Sequence, residues 1–479
     1  MAGSLAAAAL AIALLAGARA ASPAQPLRPA TIGQQMEAFW RGQAHFVEVR
    51  DIAWERPPYN APDEGQGWFG KPMPFPGGKW YLFNRKATNR KPDYCLDQGL
   101  EVVVRESSDR GRTWSNPAAV AAAPGPQGAP DACGVVDGSS YYDRASDTWH
   151  MLAQCLAAHS AGGWQLCHYT RRGPSPIGRF AADAEPAVRG GALWSRICRH
   201  AAGICDPRNT HDEGTPDIVD KRHVYFYVTF HGFNYATRQG FRGVAKTADF
   251  HRWIVSGPGL PEAPIFAPPE CRAWNPGCIG GGEASTLIAG KYQYMMIETP
   301  SLSLACTPGQ TWPIALLRAP KNAFPPWSSP LWQPFRANPL LQTAWPSSRA
   351  KCALQYPRWA VGANHTVYIL YEDFDYRHAP ARPPALRRRL LKLVAGGGPA
   401  VVLTAPPITF GTRGRGSDRG SQSLFAVGAR MDKAYKAVRI CRSDRLEEPQ
   451  GSVIYTGPSR CSADAPCRPN RTARSRPTH

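Results

Sequence analysis

Short apolar runs, each followed by a turn and an aromatic-rich run, recur along the chain. The first such unit joins residues 69–73 to 79–83. The second joins 131–136 to 148–152, with a turn expected at Asp137-Gly138. The third joins 213–219 to 224–228, the fourth 283–288 to 292–296, and the fifth 358–361 to 367–371. A weaker sixth unit runs from 423–427 to 437–440. Recurrence of one such unit at roughly 60–80 residues predicts an array of small sheets. Apolar positions at helical spacing are scarce. The best stretches, 34–41 and 386–393, are short. The 45 Gly, 47 Pro and 15 Trp among 479 residues also favour an all-β chain.

Residues 107–114 carry Ser107, Asp109, Gly111, Thr113 and Trp114 in the pattern S-x-D-x-G-x-T-W. In such a turn Asp109 bonds loop N–H groups, Gly111 takes φ > 0, and Trp114 buries its ring as the next strand begins. The pattern resembles the Asp-box of BNR-repeat proteins, a group that includes sialidases and related β-propellers. A degenerate form, from Thr247 through Asp249 to Trp253, is similar to a turn of five-bladed glycosidases of the arabinofuranosidase/β-xylosidase and invertase/levanase families. The resemblance implies a β-propeller of four-stranded antiparallel sheets over residues 65–460. Five blades are expected, and six, as in sialidases, is the alternative. The sixth unit is either a blade closed by an N-terminal strand near residues 45–49 or an appended segment. A sandwich or jelly roll fits the repeated turn-strand units less well.

Ahead of this body, residues 5–15 are apolar and uncharged, and Ala18-Arg19-Ala20 offers a cleavage site. Residues 1–20 read as a secretory signal peptide, too short to span a membrane. Residues 21–64 form an N-terminal segment, and 461–479 a disordered basic tail. Cysteine usage agrees with export. Of 13 cysteines, Cys198/Cys205, Cys271/Cys278 and Cys461/Cys467 close short loops suited to local disulfides. The odd number leaves a thiol free or paired to another chain. Asn364-His365-Thr366 and Asn470-Arg471-Thr472 are glycosylation sequons. A secreted, extracellular, monomeric glycoprotein is expected. The net charge of +20, much of it at Arg387-Arg388-Arg389 and in the tail, reads as solubility plus a disordered basic tail rather than as a surface for anionic polymers, the alternative. No aromatic-basic interleaving marks a nucleic-acid groove, so no nucleic-acid partner is expected.

Asp131, Glu213 and Glu283 each stand four or five residues before an apolar pair, in successive units. In a propeller such strand starts converge at one mouth of a central channel. Glycoside hydrolysis needs this chemistry: one carboxylic acid protonates the leaving oxygen, and a carboxylate acts as base or nucleophile. By resemblance to the five-bladed glycosidases, Glu213 is the expected general acid. Asp131 is the base or nucleophile and Glu283 the third member, with interchangeable roles. The chain departs from that pattern on its first inner strand. There Lys71 stands where an acid is expected, with Asp63 and Glu64 upstream. His211, Asp212, His231, Lys71, Arg358 and Trp359 are candidate substrate contacts, and Trp68 and Trp274 are further stacking candidates. Asp137 and Asp217 read as turn and strand-edge residues. Gly280-Gly281-Gly282 lets backbone approach closely at the mouth. No cofactor is expected; calcium fits a propeller channel, but no loop specifies it. The chain has no G-x-S-x-G and no Walker motif. The expected function is a secreted glycoside hydrolase acting on a carbohydrate. The alternatives are a non-catalytic glycan- or protein-binding propeller and a sialidase, for which no arginine triad is evident.

Overall fold

The structure, a computed structural model, describes residues 30–49, 64–88, 92–95, 99–157, 164–201, 203–234, 236–237, 239–266, 282–299, 313–343, 354–375, 385–396 and 402–404. The expected signal peptide, the sixth unit, the expected basic tail, Trp274, Cys271/Cys278, Cys461/Cys467 and Asn470 lie outside them.

The chain is all-β. A helix, Ile32–Trp40, comes first, capped by Thr31 and Gln34 in a reciprocal capping box. Strand β1 (Ala44–Glu48) follows. Antiparallel sets of strands come next. The first is β2 (Glu64–Lys71), β3 (Trp80–Ala87), β4 (Leu100–Ser107) and β5 (Ala119–Ala122). The second is β6 (Gly134–Asp143), β7 (Thr148–Leu156), β8 (Gln165–Arg172) and β9 (Ala181–Ala182). A helix, Ala192–His200, leads into β10 (Thr210–Arg222), β11 (Tyr225–Asn234), β12 (Gln239–Thr247) and β13 (Trp253–Ile254). Then come β14 (Ala284–Ala289), β15 (Tyr292–Glu298), β16 (Ile314–Pro320) and β17 (Gln333–Pro334), with β18 (Leu341–Thr343) also on β16. The last set is β19 (Leu354–Val361), β20 (Val367–Asp375) and β21 (Ala385–Ala395); β22 (Val402–Thr404) joins β18. The first strands lie side by side in turn: β2 beside β6, then β10, β14 and β19, with β19 back against β2. They form a closed ring.

Several expectations need correction. Residues 386–393 are not helical but lie in β21, paired to β20 on one side and β1 on the other. Pairing on both edges outweighs a short run's helical spacing. The N-terminal strand closes the sheet of the fifth unit, not a sixth. Asp137-Gly138 is not a turn either. It sits inside β6, at a break in register between Val135 and Gly138. Similar breaks fall near the starts of β2, β10 and β19. Bulges of this kind re-aim side chains, and here they do so at one end of the ring.

The turn at residues 107–114 joins β4 to β5 with the hydrogen bonds its sequence implies. The Thr113 N–H and hydroxyl donate to Asp109 at 2.8 and 2.6 Å. Gly111 has φ 83°. The buried Trp114 donates its indole N–H to Gly111 O. Between β12 and β13, Asp249 likewise accepts the N–H groups of His251 and Arg252. Among the described residues three disulfides are present: the expected Cys198–Cys205, together with Cys95–Cys133 and Cys155–Cys167. Asn364 is exposed in the hairpin between β19 and β20.

The aromatic residues form much of the core. Trp68 stacks on Phe83, and Trp149 packs against Phe75 and Tyr81. Burying each such ring contributes about 1.5–3 kcal/mol. Trp68 and Trp359 are therefore core residues, 1% and 4% exposed, not stacking platforms. Their indole N–H groups are taken up by Ser140 Oγ and Ser285 O.

Candidate functional site

The ring's first strands are flanked on both sides, so β6 is buried along most of its length, acids and serines included. Buried polar side chains of this kind need partners or a function. At the strand-start end they converge. Asp137 enters from β6, Glu283 immediately precedes β14, and Tyr356 stands third in β19. Glu298 ends β15, the partner of β14, and so reaches the same end.

Glu283 is 1% exposed and forms an ion pair with Arg358 at 2.5 Å. Neither of its oxygens has a hydrogen-bond partner of good geometry. Burial, reinforced by the charge of Asp137, pushes its carboxyl up to about 7 against the pull of Arg358 and Arg242. Burial and the neighbouring Glu283 raise Glu298 further, to about 8. Glu298 accepts the N–H of Glu283 at 3.0 Å and that of Tyr356 at 2.6 Å, joining β14 to β19 across the mouth. The Tyr356 hydroxyl reaches over the ring to Asp137 Oδ2 at 3.3 Å. Burial holds that phenol well above its ordinary pKa, so it remains a donor. Tyr356, Asp212 and Thr215 all have positive φ, 54°, 66° and 37°. Each such residue costs about 1–3 kcal/mol, and strain of this kind collects at functional sites. Gly282 is required by a close approach: a Cβ there would lie 2.6 Å from Glu298 Oε2.

Arg242 and Arg358 fix this layer. Arg242, fully buried, donates to Thr215, Thr229 and the carbonyl of Gly282. Arg358 donates Nε to Gly67 O and Nη1 to Ala284 O. Farther along the ring Lys71 bonds to Asp217 and to Ile218 O, and Asp217 also accepts the N–H of Thr286. Asp217, read as a strand-edge residue, is thus an interior one.

The expected acids are only partly brought together. Glu283 is in the cluster. Asp131 lies in the turn before β6 and accepts the Tyr169 hydroxyl at 2.9 Å. Glu213 points away into the start of the helix Ala192–His200. There it accepts the N–H groups of Gly191, Leu193 and Trp194 at 2.5, 2.8 and 3.2 Å, the place where a helix favours an anion. Burial nonetheless holds its carboxyl up to about 7. Glu213→Ala is expected to cost about 1–3 kcal/mol in urea unfolding, from orphaned donors, with turnover per folded molecule unchanged. Lost turnover at intact stability would restore Glu213 to a catalytic role.

Asp212 accepts the Trp164 N–H, and His211 lies beside Gly191. His231 faces Arg242 across the β11–β12 pairing; burial and that charge push its imidazole down to about 3. Glu64 opens β2, the first inner strand, but it is bound to Arg105. Asp63 is outside the described residues. Asp137, Glu298, Tyr356 and Arg242 were not singled out as site residues. An acid closing the apolar strand β15 and an arginine inside β12 were the available signals. Among the described residues no group of three or more His, Cys, Asp or Glu is placed to hold a metal ion, and no helix is long and apolar enough to cross a membrane.

No known family profile and no curated protein matches the sequence. Solved structures of similar shape include a thermostable family-43 glycoside hydrolase, at 14% identity and a TM-score of 0.41, covering 70% of this chain and 89% of that one. An α-L-arabinofuranosidase from Lactobacillus brevis is 11% identical with a TM-score of 0.46, covering 72% and 95%. A family 117 glycoside hydrolase from the marine bacterium Zobellia galactanivorans is 12% identical with a TM-score of 0.44, covering 74% and 91%. At these values the likeness assigns neither an activity nor a site to this chain.

Proposed function

We propose that the chain is a secreted glycoside hydrolase on a five-bladed β-propeller, with Glu283 as general acid and Asp137 as general base. The closed ring of first strands supports the propeller, and β1 would complete the last blade. One observation carries the catalytic reading: Asp137, Glu283 and Glu298 reach one end of the ring from three different strands. A glycosidic bond breaks when one carboxylic acid protonates the leaving oxygen and another carboxylate activates water or attacks the sugar. Glu283, held to about 7, keeps its proton near neutrality yet can release it. The carboxylate left behind meets Arg358, already at 2.5 Å. Glu298 orients Glu283 through its backbone N–H, and the Tyr356 hydroxyl orients Asp137. His211, Asp212 and His231, near the start of β10 and the end of β11, are proposed to border the substrate. Three disulfides and the exposed Asn364 support secretion.

A glycan-binding propeller without turnover is the second reading. It draws on Glu64, committed to Arg105, and on Lys71 in the first strand. Hydrolysis of a panel of aryl arabinosides, xylosides, galactosides, sialosides and of fructans separates the two. Turnover of any member supports the enzyme. Glycan binding with no turnover across the panel establishes the binder.

A further inference from the structure

At the opposite end of the ring from the carboxylates, an open cavity of about 570 Å³ lies between the ends of β2, β6 and β10. That volume is in the range of small-molecule sites, roughly 300–1,000 Å³. Pro72, Met73 and Pro74, just past β2, supply its apolar surface together with Tyr141 and Tyr142 of β6. Its polar lining is one-sided. Asp143 is the carboxylate of the lining, and it is engaged: it accepts the Ala145 N–H at 3.2 Å, the Ser146 hydroxyl at 2.7 Å and the Lys221 ammonium at 2.7 Å. Lys221 is neutralised by that pair but keeps N–H bonds to spare, since an ammonium has three. Arg144, in the turn after β6, is exposed and has no hydrogen bond or ion pair among the described residues. His223, in the turn between β10 and β11, is exposed in the same lining. The cavity therefore offers one uncompensated positive charge, several N–H donors and a flat apolar side.

We infer that this cavity binds a uronic acid unit of an acidic polysaccharide, with its carboxylate on Arg144. A planar guanidinium takes a carboxylate through two parallel N–H bonds. The sugar hydroxyls accept from Lys221 and His223, and the C–H face of the ring covers Met73 and Tyr142. A small inorganic anion would leave the apolar side uncovered, and a neutral sugar would leave Arg144 without a counter-charge. A uronic acid meets both. The site shares no residue with the carboxylate mouth, so it stands whether that mouth hydrolyses glycosides or only holds them.

Titration calorimetry on the wild-type protein at low salt tests it, with trigalacturonate and a hyaluronan tetrasaccharide as probes. At least one should bind, more weakly as salt is added, and its methyl ester should bind about tenfold more weakly or worse, the usual worth of a bond to a charged group. Arg144→Ala, an exposed change that should leave the melting temperature alone, should lose affinity for the acid by a similar factor and none for the ester. No binding of either acid, or equal binding of acid and ester, overturns the proposal. So does binding that survives Arg144→Ala but is lost in Asp137→Asn, which would put the sugar in the carboxylate mouth instead.

Discussion

Glu283→Gln is expected to lower turnover of glycosides with poor leaving groups by about 10²–10⁴-fold, the usual contribution of a positioned acid. Glycosides with strongly activated aryl leaving groups, which depart without a proton, should keep most of their rate. Asp137→Asn should lose both, since activation of water or attack on the sugar is needed whatever leaves. The contrast separates acid from base without knowledge of the natural substrate. Gln is close in shape to the protonated Glu283, so below pH 7 the variant should fold normally. The pH dependence has a definite sign. As the proposed acid, Glu283 must be protonated to act, and burial raises its folded value to about 7. Wild-type kcat/KM should therefore hold below that value and fall as pH rises through it, a limb missing from Glu283→Gln. Equal losses on good and poor leaving groups would remove Glu283 from the role of acid.

Arg105→Met is expected to destabilise the protein by about 3–5 kcal/mol in urea unfolding, the usual effect of stranding one half of a buried ion pair. Arg105 donates Nη2 and Nε to the two oxygens of Glu64 at 2.8 and 3.3 Å, and both side chains are about 5% exposed. It also donates Nη1 to Ser115 O at 2.7 Å. The pair ties β2 to β4 across β3, and the Ser115 contact ties β4 to the loop that leads to β5. Replacing both partners, Glu64→Leu with Arg105→Met, should recover much of the loss. Without its partner, Glu64 must be buried charged or take up a proton, whereas an apolar pair needs neither. A double variant no more stable than Arg105→Met would mean that the Ser115 contact, not the ion pair, holds the strands. Turnover should survive in the double variant if Glu64 has no part in catalysis.

Much of the architecture was legible in the chain. Strand–turn–strand units two to five appear at the positions that their apolar and aromatic runs indicated, apart from the misplaced Asp137-Gly138 turn. Asp109, Gly111 and Trp114 specify their turn through bonds within eight residues, so local sequence suffices. The same holds for the helix Ile32–Trp40, whose capping residues lie three positions apart. Residues 386–393 failed because what decides their state, pairing with β20 and β1, is remote in sequence.

By itself, the sequence determined an all-β chain of repeated units, its local turns, the short disulfide between Cys198 and Cys205, and the presence of Glu283 at a strand start. Only the tertiary structure decided which acids meet. Asp137-Gly138 has the composition of a hairpin turn, and only register against β7 makes it a bulge that turns Asp137 to the ring. Glu213 resembles Glu283 in sequence but is captured by a helix start some twenty residues earlier in the chain. Tyr356 and Glu298 enter the site through a backbone bend and a neighbouring strand. Strand period and turn chemistry are short-range properties and can be read along the chain. Convergence on the axis depends on how five strands with weakly related sequences are rotated and bulged against one another, and closing the ring alone fixes that.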